Sequence, residues 1–143
     1  MIKFFKFIIL IFLITTTQSI SNESFYNEAK NLFDNGKIKE SKFLFQRNIV
    51  FNPKDSKSYL YLAKIFESEE NEIEEEKNIN TTLLLEPDNE EAMYMLIDIK
   101  LEKSDIKKVE ELKKNFKIIC SSLCFKINSI DEILSNINVK NES

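Results

Sequence analysis

The chain has 143 residues, room for one domain, and its 43% apolar content is enough to fill a core. It contains no histidine and one glycine, which excludes an imidazole base, a Ser/His/Asp triad and a glycine-rich phosphate loop. The formal net charge is −4 and Arg47 is the only arginine, so there is no basic stripe for nucleic acid or for an anionic membrane surface.

Residues 1–21 stand apart from the rest. Lys3 and Lys6 give a positive start, Phe7 to Ile14 form an unbroken apolar run, and Thr15 to Ser21 are mostly small and polar. This is the layout of a secretory signal peptide, with cleavage expected after Ser19 or Ser21. The apolar run is too short for an ordinary spanning helix, although an uncleaved N-terminal anchor is the competing reading. The expectation is therefore an exported chain with no membrane insertion after cleavage, in a bacterial periplasm first and a eukaryotic secretory compartment second. Without Lys3 and Lys6 the remainder carries 18 basic and 24 acidic residues, a net charge of −6.

The remaining sequence reads as helices in succession, with no strand alternation. The first is expected over Asn22 to Asp34, stopped by Asn35-Gly36, and its partner over Ile38 to Phe51, stopped by Pro53. Asp55 or Ser56 caps a third helix to about Ser68, and residues 69–78 hold the turn to a fourth that ends at Leu85, before Pro87. Asp88 or Asn89 caps a fifth helix through about Glu102, and Ser104 or Asp105 a sixth through about Ile119. Ser129-Ile130-Asp131-Glu132 has the spacing of a capping box and opens a short last helix to about Ile137. The folded domain is placed at residues 22–138, with residues 139–143 a disordered tail.

Pro53 and Pro87 are 34 residues apart, and the same shift carries apolar positions onto apolar positions. It pairs Phe25 with Tyr59, Ala29 with Ala63, Leu32 with Phe66 and Ile49 with Leu83, and then Tyr59 with Met93 and Leu62 with Leu96. Phe25, Ala29, Leu32, Gly36, Phe45 and Pro53 follow the pattern of one repeat. Tyr59, Leu62, Ala63, Phe66 and Pro87 follow it in a second, where the turn glycine is missing and Glu75 stands in place of a small residue. A third unit is degenerate. On these residues the chain resembles the tetratricopeptide-repeat family over about two thirds of its length. The resemblance implies an all-α solenoid of three helix hairpins plus a C-terminal capping helix.

It also implies a concave groove lined by the first helix of each hairpin. The residues at the groove-facing positions are Tyr26, Lys30 and Phe33, then Lys57, Leu60, Lys64 and Glu67, then Glu91, Tyr94, Asp98 and Leu101. Such a face suits a peptide or helix of a partner protein. Family members that clamp a C-terminal carboxylate use a lysine, asparagine and arginine set. The matching places here hold Tyr26, Lys30, Tyr61, Glu91 and Met95, so that clamp is absent apart from Lys30.

Cys120 and Cys124 are the only cysteines, four apart at the end of the sixth helix. That spacing places their Cα atoms within disulfide range, and an exported chain meets an oxidising compartment. Two buried thiols, or a redox-active pair, are the other readings. A zinc site lacks ligands. The acidic run from Glu67 to Glu76 lacks the ligand alternation of an EF-hand loop and reads as a solvated, self-repelling turn. No cofactor is called for. The functional expectation is an exported, non-enzymatic scaffold for a protein or peptide. A thiol-redox helper and a self-assembling structural subunit are the alternatives, and the oligomeric state is left open.

Overall fold

The computed structural model describes the backbone of residues 20–141 and the side chains of residues 25–137. Among the described residues every regular element is a helix. In order these are α1 (Ile20–Asp34), α2 (Ile38–Phe51), α3 (Ser56–Ser68), α4 (Glu72–Leu85), α5 (Glu90–Glu102), α6 (Ile106–Ile119) and α7 (Lys126–Asn141). The expected signal segment lies outside the described residues, except for Ile20 and Ser21, which open α1. The described residues form two compact units, divided between Ser58 and Tyr59.

The hairpin turns repeat in backbone detail. Gly36, Glu70 and Ser104 all adopt left-handed φ values, of 73°, 55° and 55°, and they are spaced by 34 residues. At each turn the same two hydrogen bonds close the first helix. The N–H groups of Gly36, Glu70 and Ser104 donate to the carbonyls of Phe33, Glu67 and Leu101 at 2.9, 3.0 and 2.9 Å. The next N–H groups, of Lys37, Asn71 and Asp105, donate to Leu32, Phe66 and Lys100 at 2.9 Å in every case. This is the closure that a left-handed residue makes at a helix C-terminus. Only the first turn uses glycine. The second and third start their next helix with a side-chain cap instead: Asn71 accepts from the Glu74 N–H at 3.3 Å and Asp105 from the Lys108 N–H at 3.1 Å. The turn expected within residues 69–78 falls at its start, with α4 already begun at Glu72.

The second helices end on the same period. The N–H groups of Asn52, Glu86 and Cys120 each donate four residues back, at 2.7, 2.8 and 2.8 Å. Pro53 and Pro87 follow the first two, and Ser121 stands in the third place. There the chain is tied by a Cys120–Cys124 disulfide, with sulfurs 2.05 Å and Cα atoms 5.2 Å apart. The expected staple is therefore formed.

In the first unit, Ala29 and Phe45 are fully buried, and Ser41 Oγ donates to the Ala29 carbonyl at 2.9 Å. Small residues on both helices let α1 and α2 approach closely. Phe25 stacks on Phe51 at 6.1 Å, with the Arg47 guanidinium 4.4 Å over its ring. The entry to α3 is held by polar groups: Asn48 Nδ2 and Ser58 Oγ both donate to Asp55 Oδ2, at 2.7 and 2.6 Å.

In the second unit, one apolar core joins Ala63, Ile79, Ile97, Val109 and Phe116, all fully buried. Ile130 and Leu134 of α7 complete it, and Lys113 Nζ on α6 meets Asp131 Oδ1 on α7 at 2.7 Å. The last helix therefore caps the third hairpin. It starts three residues before the predicted capping box, because the chain leaves the disulfide loop already turning at Leu123–Lys126. Ser129 sits inside the helix, its hydroxyl donating to the Lys126 carbonyl at 2.8 Å. The helix also continues past Ile137 into the segment expected as a tail, as far as Asn141.

Candidate functional site

The groove residues of the first unit are only partly open. Tyr26 leans on Phe45 with ring centroids 5.9 Å apart, and Phe33 is half-buried. Lys30 Nζ meets Asp34 Oδ2 at 2.6 Å, one turn along the same helix, while Lys57 is exposed.

In the second unit α3 and α5 lie side by side and present a mixed face. Lys64 Nζ bonds Glu91 Oε1 at 2.8 Å across the two helices and also sits 4.9 Å from the Tyr61 ring. Tyr94 is half-buried, 6.2 Å from the Phe116 ring, and Lys126 Nζ of α7 lies 4.8 Å over it. Burial pushes the Asp98 carboxyl upward, and Lys126 opposes that rise. Two residues expected at groove-facing positions are not open. Leu60 and Leu101 are buried in the core cluster, because the groove phase and the core phase of these short helices overlap at those positions.

The acidic run contains a feature that contradicts its reading as a solvated turn. Glu75 is only 8% exposed. Its carboxyl is pushed up to about 7, first by burial and then by Glu67, Glu102, Glu72 and Asp98. Glu67 is also raised, by burial and then by Asp98, against the opposing pull of Lys64. These carboxylates, with Glu70, line a cavity of about 260 Å³ between α3, α4 and α5, with Ile99 as its apolar wall. The nearby lysines are engaged at its edge: Lys100 with Glu76, and Lys103 with both Glu76 and Glu72. Among the described residues no group of three or more carboxylates or thiolates is placed to hold a metal ion.

The disulfide loop is fastened to the start of α5. Glu90 accepts from the backbone N–H groups of Ser121 (2.7 Å), Ser122 (3.0 Å) and Leu123 (3.1 Å). These donors stabilise the carboxylate and hold its pKa down at about 2. Sequence reasoning identified the cysteines but not Glu90, which lies some thirty residues away.

Period, left-handed turns and hairpin order define the tetratricopeptide-repeat fold, an all-α solenoid with a terminal capping helix. Solved structures agree over most of the chain. The type III secretion chaperone SycD of Yersinia enterocolitica, in complex with a peptide of the translocator YopD, is 15% identical. It covers 89% of this chain and 99% of its own, with a TM-score of 0.72. The first tetratricopeptide domain of Spaghetti (RPAP3), bound to the HSP90 peptide SRMEEVD, is 10% identical, with 87% and 98% covered and a TM-score of 0.72. PcrH in complex with the chaperone-binding region of PopD is 13% identical, with 88% and 99% covered and a TM-score of 0.68. No family model and no curated protein matches the sequence.

Proposed function

We propose that this chain is an exported, non-enzymatic adaptor that holds a peptide or helix of a partner protein on the first helices of its hairpins. The observation that carries the reading is the α3–α5 face. There Lys64, Glu67, Tyr94 and Asp98 stand on adjacent helices of a fold whose solved relatives SycD, PcrH and RPAP3 are seen with bound peptides. An amphipathic ring beside alternating charges can bury an aromatic or aliphatic anchor and fix its register with polar contacts. Export rests on the signal-like layout of residues 1–21, and a bonded Cys120–Cys124 pair is in keeping with an oxidising compartment. The bond closes a short loop that Glu90 also grips, which favours a structural over a redox role for it.

Site-specific photo-cross-linking tests this. A benzophenone side chain placed at Lys64 or Tyr94 is expected to capture one defined partner in the native compartment. The same group at Lys114, exposed on α6, is expected to capture none. Equal capture from all three positions, or none from Lys64 and Tyr94, overturns the reading.

A further inference from the structure

Three helices direct carboxylates into one cavity: Glu67 from α3, Glu75 from α4, and Asp98 and Glu102 from α5. Glu75 is the most buried of these, 8% exposed, its carboxylate opens onto the cavity, and among the described residues it makes no ion pair. A buried carboxylate without a partner is costly, and folded proteins rarely keep one without use. The nearby lysines pair with other carboxylates: Lys64 with Glu91, Lys100 with Glu76, and Lys103 with Glu76 and, at the cavity edge, with Glu72. A cation entering the cavity would offset the repulsion among these carboxylates. The described carboxylates do not converge as metal ligands do, and they surround a space with an apolar wall at Ile99. That shape suits a positive group carried on a hydrocarbon stem.

We propose that the cavity between α3, α4 and α5 is a socket for one basic side chain of the bound partner, with Glu75 at its base and Glu67, Asp98 and Glu102 at its mouth. Arginine fits best, because its planar fork reaches several separated acceptors at once, whereas lysine offers a single point charge. The inference rests on the peptide-adaptor reading and adds to it the chemistry of one partner residue. The peptide SRMEEVD, bound by the RPAP3 domain, has three acidic residues among its last four. The socket selects against such an end at this place by like-charge repulsion.

The test is a nuclear magnetic resonance titration of the full chain with N-acetyl-argininamide, with N-acetyl-glutaminamide and calcium chloride as parallel probes. Saturable shifts are expected at the amides of Glu67, Glu75, Asp98 and Glu102 with the arginine probe, and none with the glutamine probe. The response should strengthen from pH 6 to pH 8 as Glu75 ionises. The charges facing Glu75 are Glu67 on α3, Glu72 on its own helix, and Asp98 and Glu102 on α5; Lys103 pairs with Glu72, and Lys64 and Lys126 act on Glu67 and Asp98 in the opposite sense. Glu75→Gln should weaken the response by roughly tenfold. Glu102→Gln, at the exposed mouth, should weaken it less and serves where the first variant fails to fold. The proposal is overturned by no saturable shift at these residues, by equal shifts with the glutamine probe, by an unchanged response in both variants, or by a response to calcium alone. If partner cross-linking from Tyr94 succeeds while the arginine probe gives nothing, only the socket falls. If the probe binds and no partner is captured, the peptide face falls and the cation site stands.

Discussion

Glu75 weakens the fold at neutral pH. Its folded pKa of about 7 lies above the ordinary value of 4.5, so between those values the folded chain binds more protons than the unfolded one. Stability is then unaffected below about pH 4.5, falls as pH rises toward 7, and is level above it. Glu75→Gln removes the ionisation and keeps the shape. It is expected to raise the unfolding free energy by on the order of 3 kcal/mol at pH 8 and by little at pH 4, since each tenfold change in proton affinity is worth about 1.4 kcal/mol. Denaturant melts of the two chains at both pH values check this, and a gain that does not depend on pH would show that the carboxylate is not the cause. Glu90 is the opposite case. Three backbone donors hold its pKa below the ordinary range, so its grip on the disulfide loop is complete above about pH 4.5 and is lost as pH falls toward 2.

At the scale of the helix and its turn, the three hairpins solve one geometric problem with three different residues. The hydrogen-bond pattern at Gly36, Glu70 and Ser104 requires a left-handed backbone, which strains any residue with a Cβ by roughly 1 kcal/mol. Glycine avoids that strain at the cost of a freer unfolded chain. Glu70→Gly and Ser104→Gly are each expected to stabilise by about 0.5 kcal/mol, and Gly36→Ala to destabilise by about 1 kcal/mol. No atom lies within 4 Å of where a Cβ on Gly36 would sit, so that loss would be conformational and not steric. Thermal melts of the three variants give the signs directly. The same turns show why the sequence was readable in part. Pro53, Pro87 and Gly36 act through the local backbone and reveal their roles in isolation. Glu70 and Ser104 are left-handed because the closing bonds demand it, not because their side chains favour it. Ser129 carried a capping signal that was overridden, since the start of α7 is set by the chain leaving the disulfide loop. The burial of Glu75 was hidden inside an acidic run, because only the packing of α5 brings Asp98 and Glu102 to it. Leu60 and Leu101 were misplaced for a similar reason: on helices this short one position faces both groove and core.

At the scale of the whole chain, a stack of hairpins ends in an apolar face that must be covered. In a solenoid each repeat packs on its neighbours, and the last repeat has no successor. Here α7 takes that place within the second unit. Ile130 and Leu134 are 1% and 4% exposed against a core that includes Val109, Leu112 and Phe116, whereas Ile133 on the same helix is 41% exposed. The Lys113–Asp131 contact fixes the helix at its polar edge; it raises the lysine pKa and lowers that of the aspartate, as a charge-assisted bond does. Leu134→Ala is expected to cost about 2–5 kcal/mol, as other buried leucines do. Ile133→Ala should change stability by no more than about 0.5 kcal/mol, in line with surface positions. A chain ending at Phe125 keeps the disulfide but leaves Phe116 and its neighbours facing water. It should melt at lower temperature and self-associate in a concentration-dependent way by light scattering, since an uncovered apolar patch of this kind recruits a second surface. The full chain, with α7 in place, should show no such rise from that face. If the shortened chain melts like the full one and scatters no more, α7 is not the cap, and the third hairpin must be stabilised by the Glu90-held disulfide loop alone.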